Sequence, residues 1–130
     1  MKILVGYSAT DVAYAALTLA REHARTFNAK VLIMTSMEGG ASETQKEINE
    51  VEESLKKAEQ FMKEKGVDCE THQLARGMSP GEDLVKFAQD NEIALIYVGI
   101  KKKSRTQKII LGSTAQFIIL KAPCPVVTVK

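Results

Sequence analysis

Three runs of this chain are apolar without alternation: Lys2–Tyr7 (KILVGY), Lys30–Ser36 (KVLIMTS) and Ile93–Gly99 (IALIYVG). A strand with one wet face alternates apolar and polar residues, whereas a near-continuous aliphatic run needs cover on both faces. The segments between these runs supply that cover. Thr10-Asp11 offers an N-cap and a first-turn acid, and Ala13, Ala16, Leu17, Ala20 and Ala24 follow at helical spacing. Gly39-Gly40 breaks the chain, and Ser42 with Gln45 has the form of a capping box. Ile48, Val51, Leu55, Ala58 and Met62 then make one helical stripe, which Gly66 stops. Asp68–Ala75 (DCETHQLA) reads as a third, less apolar strand near a sheet edge. Ser79-Pro80-Gly81-Glu82 is a helix start, with Ser79 as cap, Pro80 at the first helical position and Glu82 reaching back. Leu84, Val85 and Ala88 give that helix its buried face. A last helix is expected over Ser113–Lys121, ended by Pro123 and Pro125, before the strand Val126–Val129 (VVTV). Alternating strands and helices predict one α/β domain over residues 1–130, a doubly wound parallel sheet with helices on both faces.

Totals exclude several function classes. A net charge of +2 is too small for a dedicated nucleic-acid binder, and the basic run Lys101, Lys102, Lys103, Arg105, Lys108 carries no interleaved aromatics. No window approaches the ~18 apolar residues needed to cross a bilayer. The N-terminal run is interrupted too early for a signal peptide, so a cytoplasmic location is the expectation. Cys69 and Cys124 fit no metal or redox spacing and read as buried or half-buried thiols. With His23 and His72 the only histidines, a metal cluster or a histidine-based triad has little material. Tyr7, Tyr14 and Tyr97 read as core or pocket-wall residues.

In a doubly wound sheet, ligands sit beyond the carboxyl ends of the strands, where strand order reverses. The stretch Gly99–Thr114 (GIKKKSRTQKIILGST) has the strongest physical case for phosphate there. Gly99, following Val98 at the strand end, lets the backbone turn with no side chain in the way. Gly112-Ser113-Thr114 places backbone N–H groups and two hydroxyls at a helix N-terminus, where the helix dipole favours an anion. The same residues also suit a plain helix cap behind a solvated basic loop, and both readings stay open.

Nearly the whole chain resembles the universal stress protein family. KILVGYSATDVAYAAL is similar to that family's first strand and helix start, ALIYVG to its fourth strand, and LGSTAQFIILKAPCPVVTVK to its C-terminal signature. The resemblance implies a five-stranded parallel sheet in the order 3-2-1-4-5, Rossmann-like and of the adenine nucleotide alpha hydrolase type. It also implies a homodimer paired through the last strand, Val126, Val127, Thr128 and Val129. Such an apolar strand at a sheet edge invites pairing in any case.

Many members of that family bind ATP through a glycine, two residues, a second glycine, nine residues, then Gly-Ser or Gly-Thr. Here Gly99 takes the first position, Lys102 stands where the second glycine belongs, and Gly112-Ser113 closes the spacing. At the first strand's end, Ser8 replaces the family's nucleotide-contacting aspartate, with Ala9 and Thr10 in place of Gly and Ser. Ala94 stands where the fourth strand usually begins with Asp. Ser36 falls near where the family's backbone meets adenine. A lysine forced to positive φ at position 102 costs about 1–2 kcal/mol, yet its ammonium beside a polyphosphate is a favourable point charge. Ser8 keeps a hydroxyl and loses a carboxylate.

Two functions follow. One is a regulatory binding module holding ATP or a related nucleotide through Ser8, Val98, Gly99, Lys102, Gly112, Ser113 and Thr114, with Mg²⁺ only alongside ATP. The other is a homodimeric stress-response protein without nucleotide, acting through protein association. An enzyme is not expected: Asp11 reads as first-turn helix chemistry and Glu38 as a polar loop residue. No Walker-type lysine or paired acids for Mg²⁺ are present.

Overall fold

The computed structural model describes residues 1–8, 11–37, 44–101 and 111–130. In chain order the elements are β1 (Lys2–Gly6), α1 (Asp11–Phe27), β2 (Lys30–Ser36), α2 (Gln45–Lys63), β3 (Cys69–Leu74), α3 (Pro80–Asp90), β4 (Leu95–Gly99), α4 (Ser113–Lys121) and β5 (Val126–Val129). All strand pairs are parallel, in the order β3-β2-β1-β4-β5. This is the expected doubly wound sheet with β3 at one edge.

Residues of β1 and β2 alternate between two cores, which is why these strands read as unbroken apolar runs. Ile3, Val5, Val31 and Ile33 pack with α1 and α2 through Leu17, Ala20, Leu55 and Met62. Leu4, Leu32 and Met34 face α3 and α4 through Leu84, Val85, Phe87 and Ile118. Each buried Leu, Ile, Val or Met contributes about 1.5–3 kcal/mol relative to exposure.

Element ends obey backbone chemistry, with a few departures from expectation. Helix α2 is capped by Thr44, whose hydroxyl accepts from the Glu47 amide at 3.2 Å. That is the Thr-x-x-Glu pattern, and it overturns a start at Ser42, which lies outside the described residues. Gly66, at φ +70°, stops α2 as expected, and Asn28, at φ 53°, ends α1 in the same left-handed way. Ser79 is the N-cap of α3 and Pro80 its first residue, but the Ser79 side chain makes no cap hydrogen bond. The predicted box with Glu82 is therefore not formed. Strand β4 begins at Leu95 rather than Ile93, although the Ala94 amide still donates to the Lys2 carbonyl at 2.9 Å.

Tyr14 corrects a further expectation. It is 51% exposed, neither core nor pocket wall, and leans on Phe61 across the outer surface of α1 and α2. The expectations for Ala9, Thr10, Glu38, Gly39-Gly40 and most of the basic run, Lys102 to Lys108, lie outside the described residues, as does that for the Asp11 side chain.

Candidate nucleotide cleft

Strand order reverses at β1: the crossover through α1 leads to β2 on one side, and α3 returns the chain to β4 on the other. A cleft of about 400 Å³ opens there, beyond the carboxyl ends of β1, β2 and β4. It has the volume of a small-molecule site and sits where this topology puts ligands. Its floor and walls are largely apolar, from Met34, Leu84, Val98, Ile100 and Ile118. Polar groups come from Ser8, Thr35, Ser36 and Thr114, and charge from Lys101.

Backbone order on the β2 side is tightly set. The Tyr7 amide donates to the Met34 carbonyl at 2.9 Å, and the Thr35 hydroxyl donates to the Tyr7 carbonyl at 2.8 Å. The Met37 amide donates to the Leu74 carbonyl at 2.7 Å, extending the β2–β3 pairing past the cleft.

On the β4 side the two glycines behave differently. A Cβ on Gly99 would stand 2.5 Å from the Val12 carbonyl, so α1 and β4 meet backbone to backbone. Close packing, with no positive φ, is what requires glycine there, so the missing side chain expected from sequence counts through its contact with α1. Gly112 is the N-cap of α4 at φ −67°, and apart from its own chain neighbours no described residue comes within 4 Å of where its Cβ would be. Neither crowding nor backbone conformation among the described residues demands glycine at 112. Its carbonyl accepts the Gln116 amide at 3.0 Å, and as a glycine it has no side chain with which to cap the helix. The first amides of α4 thus begin at the cleft without an oxygen from the N-cap residue's own side chain, the usual partner of one of them.

Of the residues singled out from sequence, Ser8, Val98, Gly99, Gly112 and Thr114 line this one cleft. Ser113 is exposed at the first residue of α4 and is not among the lining residues. Lys102 lies outside the described residues.

Sequence reasoning passed over Asp83. Its carboxylate is fully buried beside the cleft. It accepts from the Ser36 hydroxyl at 2.6 Å, from Arg76 Nε at 2.6 Å and from the second arm of the Arg76 guanidinium. Arg76 also donates to the Asp83 carbonyl at 3.3 Å. An acid four residues before Phe87 falls in the buried stripe of α3, and that spacing was the available signal.

The remaining reactive side chains have structural roles. His23 Nδ1 meets the hydroxyl of buried Tyr97 at 2.5 Å under α1, and burial raises the Tyr97 phenol. His72 lies 3.2 Å from Glu70, whose hydrogen bond from Lys30, then that from His72, holds it below the usual carboxylate range. Both thiols are free and half-buried; burial raises Cys124 and pushes Cys69 up to about 12. Neither has the depressed value of a reactive cysteine. Among the described residues, no group of three potential metal ligands converges, and no helix is long and apolar enough to cross a membrane.

Comparison with known proteins agrees with this architecture. The sequence model of the universal stress protein family matches residues 1–130. A universal stress protein of Methanocaldococcus jannaschii is 33% identical, covering 99% of this chain and 81% of that protein. A universal stress protein structure from Archaeoglobus fulgidus superposes with a TM-score of 0.89 at 35% identity, covering 99% of this chain and 97% of the other. A second structure from that organism, a complex with dAMP, gives a TM-score of 0.83 at 32% identity, covering 99% and 96%.

Proposed function

This chain belongs to the universal stress protein family, and from that premise we propose that it is a regulatory module that binds an adenine nucleotide in the β1/β4 cleft. The observation that carries the proposal is the N-terminus of α4: its N-cap residue is a glycine, with no side chain to cap it and not required by the described packing, and it opens to an apolar cleft. An anion placed there meets the first-turn amides and the positive end of the helix dipole. Phosphate belongs at Gly112, Ser113 and Thr114, with Lys101 and Lys102 adding charge. The base belongs at the other end, against Met34 and Leu84, where apolar walls suit a flat ring. Ser8, Val98 and Gly99 lie between. The Archaeoglobus fulgidus relative solved with dAMP supports an adenine nucleotide as the ligand class.

Binding, and not turnover, is the proposed role. Among the described residues no carboxylate lines the cleft to act as a general base or to hold Mg²⁺. With ATP as ligand, Mg²⁺ would ride on the phosphates. Native mass spectrometry of freshly purified protein tests the proposal: an adenine nucleotide should be retained at one per chain. Protein that comes free of nucleotide and takes up none on mixing would refute it.

A second reading, action by association, has its own observation. Strand β5 is a sheet edge, and on α4, the helix before it in the chain, Ile119 is 40% and Leu120 78% exposed. A homodimer joined along Val126, Val127, Thr128 and Val129 would satisfy the edge and cover apolar surface. The two readings are compatible, since the edge strand β5 contributes no residue to the cleft lining.

A further inference from the structure

We infer that Asp83 makes Ser36 a base-reading residue, turning its hydroxyl into an acceptor that favours a ring carrying an exocyclic amine over one carrying a carbonyl. This rests on the nucleotide reading above and names how that site would choose its ligand.

A serine hydroxyl has one proton to donate and lone pairs with which to accept. Left free, it rotates to suit either partner and discriminates little. Here the rotation is fixed. The Ser36 proton is committed to Asp83 Oδ2 at 2.6 Å, and the other carboxylate oxygen is held by Arg76. An acceptor-only carboxylate, fully buried and clamped by a guanidinium, cannot exchange roles with the serine. Ser36 lines the cleft at the end of β2, so what its oxygen offers a ligand is lone pairs.

The partners are themselves fixed. Asp83 sits in the first turn of α3, its amide donating to the Ser79 carbonyl at 2.9 Å. The next residue, Leu84, packs so closely on β1 that its Cδ1 would stand 2.7 Å from a Cβ on Gly6. The carboxylate is therefore carried by a helix seated on the cleft floor.

A ring amine donates to such an oxygen, while a ring carbonyl meets it lone pair to lone pair. A buried acceptor left facing an acceptor loses its hydrogen bond and keeps its desolvation penalty. Sites built this way discriminate strongly against the analogue with the wrong group.

The experiment compares adenosine 5′-monophosphate with inosine 5′-monophosphate, which differ by amine against carbonyl at one ring position. Titrations are run on the full chain, its Ser36→Ala and Ser36→Thr variants, and Asp83→Asn where it folds. The wild type should prefer the adenine nucleotide by about tenfold or more. Ser36→Ala should bring the two affinities within about threefold, and Ser36→Thr, which keeps the hydroxyl, should restore the preference. Equal affinities in the wild type, or a preference unchanged in Ser36→Ala, would overturn the inference while leaving nucleotide binding intact. Failure of the wild type to bind either nucleotide would overturn both.

Discussion

The carbonyl of Val12 lies 2.5 Å from the position a Cβ would take on Gly99, so the first turn of α1 and the end of β4 touch through bare backbone. Gly112, across the same cleft, touches no described atom at the equivalent point. The two glycines that frame the expected phosphate loop therefore answer to different demands. Gly99→Ala should destabilise the fold by about 1–3 kcal/mol through overpacking. Gly112→Ala, at an N-cap with an ordinary φ, should cost less than about 1 kcal/mol while weakening nucleotide binding by at least about tenfold. Urea denaturation and titration of both variants separate these effects, and equal losses of stability would show that Gly112 serves packing after all.

Arg76 reaches from the loop after β3 to a carboxylate with no exposed surface. Among the described residues, Arg76→Ala leaves Ser36 as the remaining side-chain donor to that carboxylate. Because the guanidinium is about one-third exposed, solvent can partly replace it, and the expected loss is about 2–3 kcal/mol, below the range for breaking a fully buried pair. Chemical denaturation reads it directly; a variant as stable as the parent would remove the clamp from the account.

Cys69 ties stability to alkaline pH. Its ordinary value of 9.0 is pushed up to about 12, chiefly by burial. The folded state therefore keeps the thiol protonated where the unfolded chain would ionise it. Stability linked to Cys69 is fully present below pH 9.0 and is lost progressively as pH rises toward about 12. Alkylation of the folded protein at pH 8 should accordingly be slow, and should accelerate on unfolding. Rapid modification without unfolding would contradict the burial.

Much of this was legible in the chain. Ile3, Leu4 and Val5 are apolar in succession because alternate residues feed different cores, and that pattern alone demanded helices on both faces. Pro80 and Gly66 marked their helix ends because backbone chemistry is local. Tyr14 was misplaced because an aromatic in an apolar helix reads as core, and only packing reveals its exposed side. Asp83 was missed because its burial depends on Arg76, seven residues away in another segment. The strand order itself came from the family resemblance and was not readable from the pattern of runs.

Association along β5 has a sharp backbone test. Ile96 and Ile100 donate to the carbonyls of Pro125 and Val129. In a parallel ladder a residue's N–H and C=O point the same way, so the alternate residues Val126 and Thr128 turn theirs outward. Thr128→Pro removes an outward donor without touching the β4 ladder. Sedimentation should show a dimer for the parent chain and a monomer for the variant. A monomeric parent at micromolar concentration would dismiss the edge as an interface.

On the proposed function, the β1/β4 cleft holds an adenine nucleotide despite Ser8 and Lys102. Isothermal titration calorimetry of nucleotide-free protein with AMP, and with ATP in the presence of Mg²⁺, addresses it most directly. A saturating one-to-one isotherm below millimolar concentration, weakened at least about tenfold in Gly112→Ala, is the predicted result. No heat of binding for either nucleotide up to millimolar concentration would contradict it.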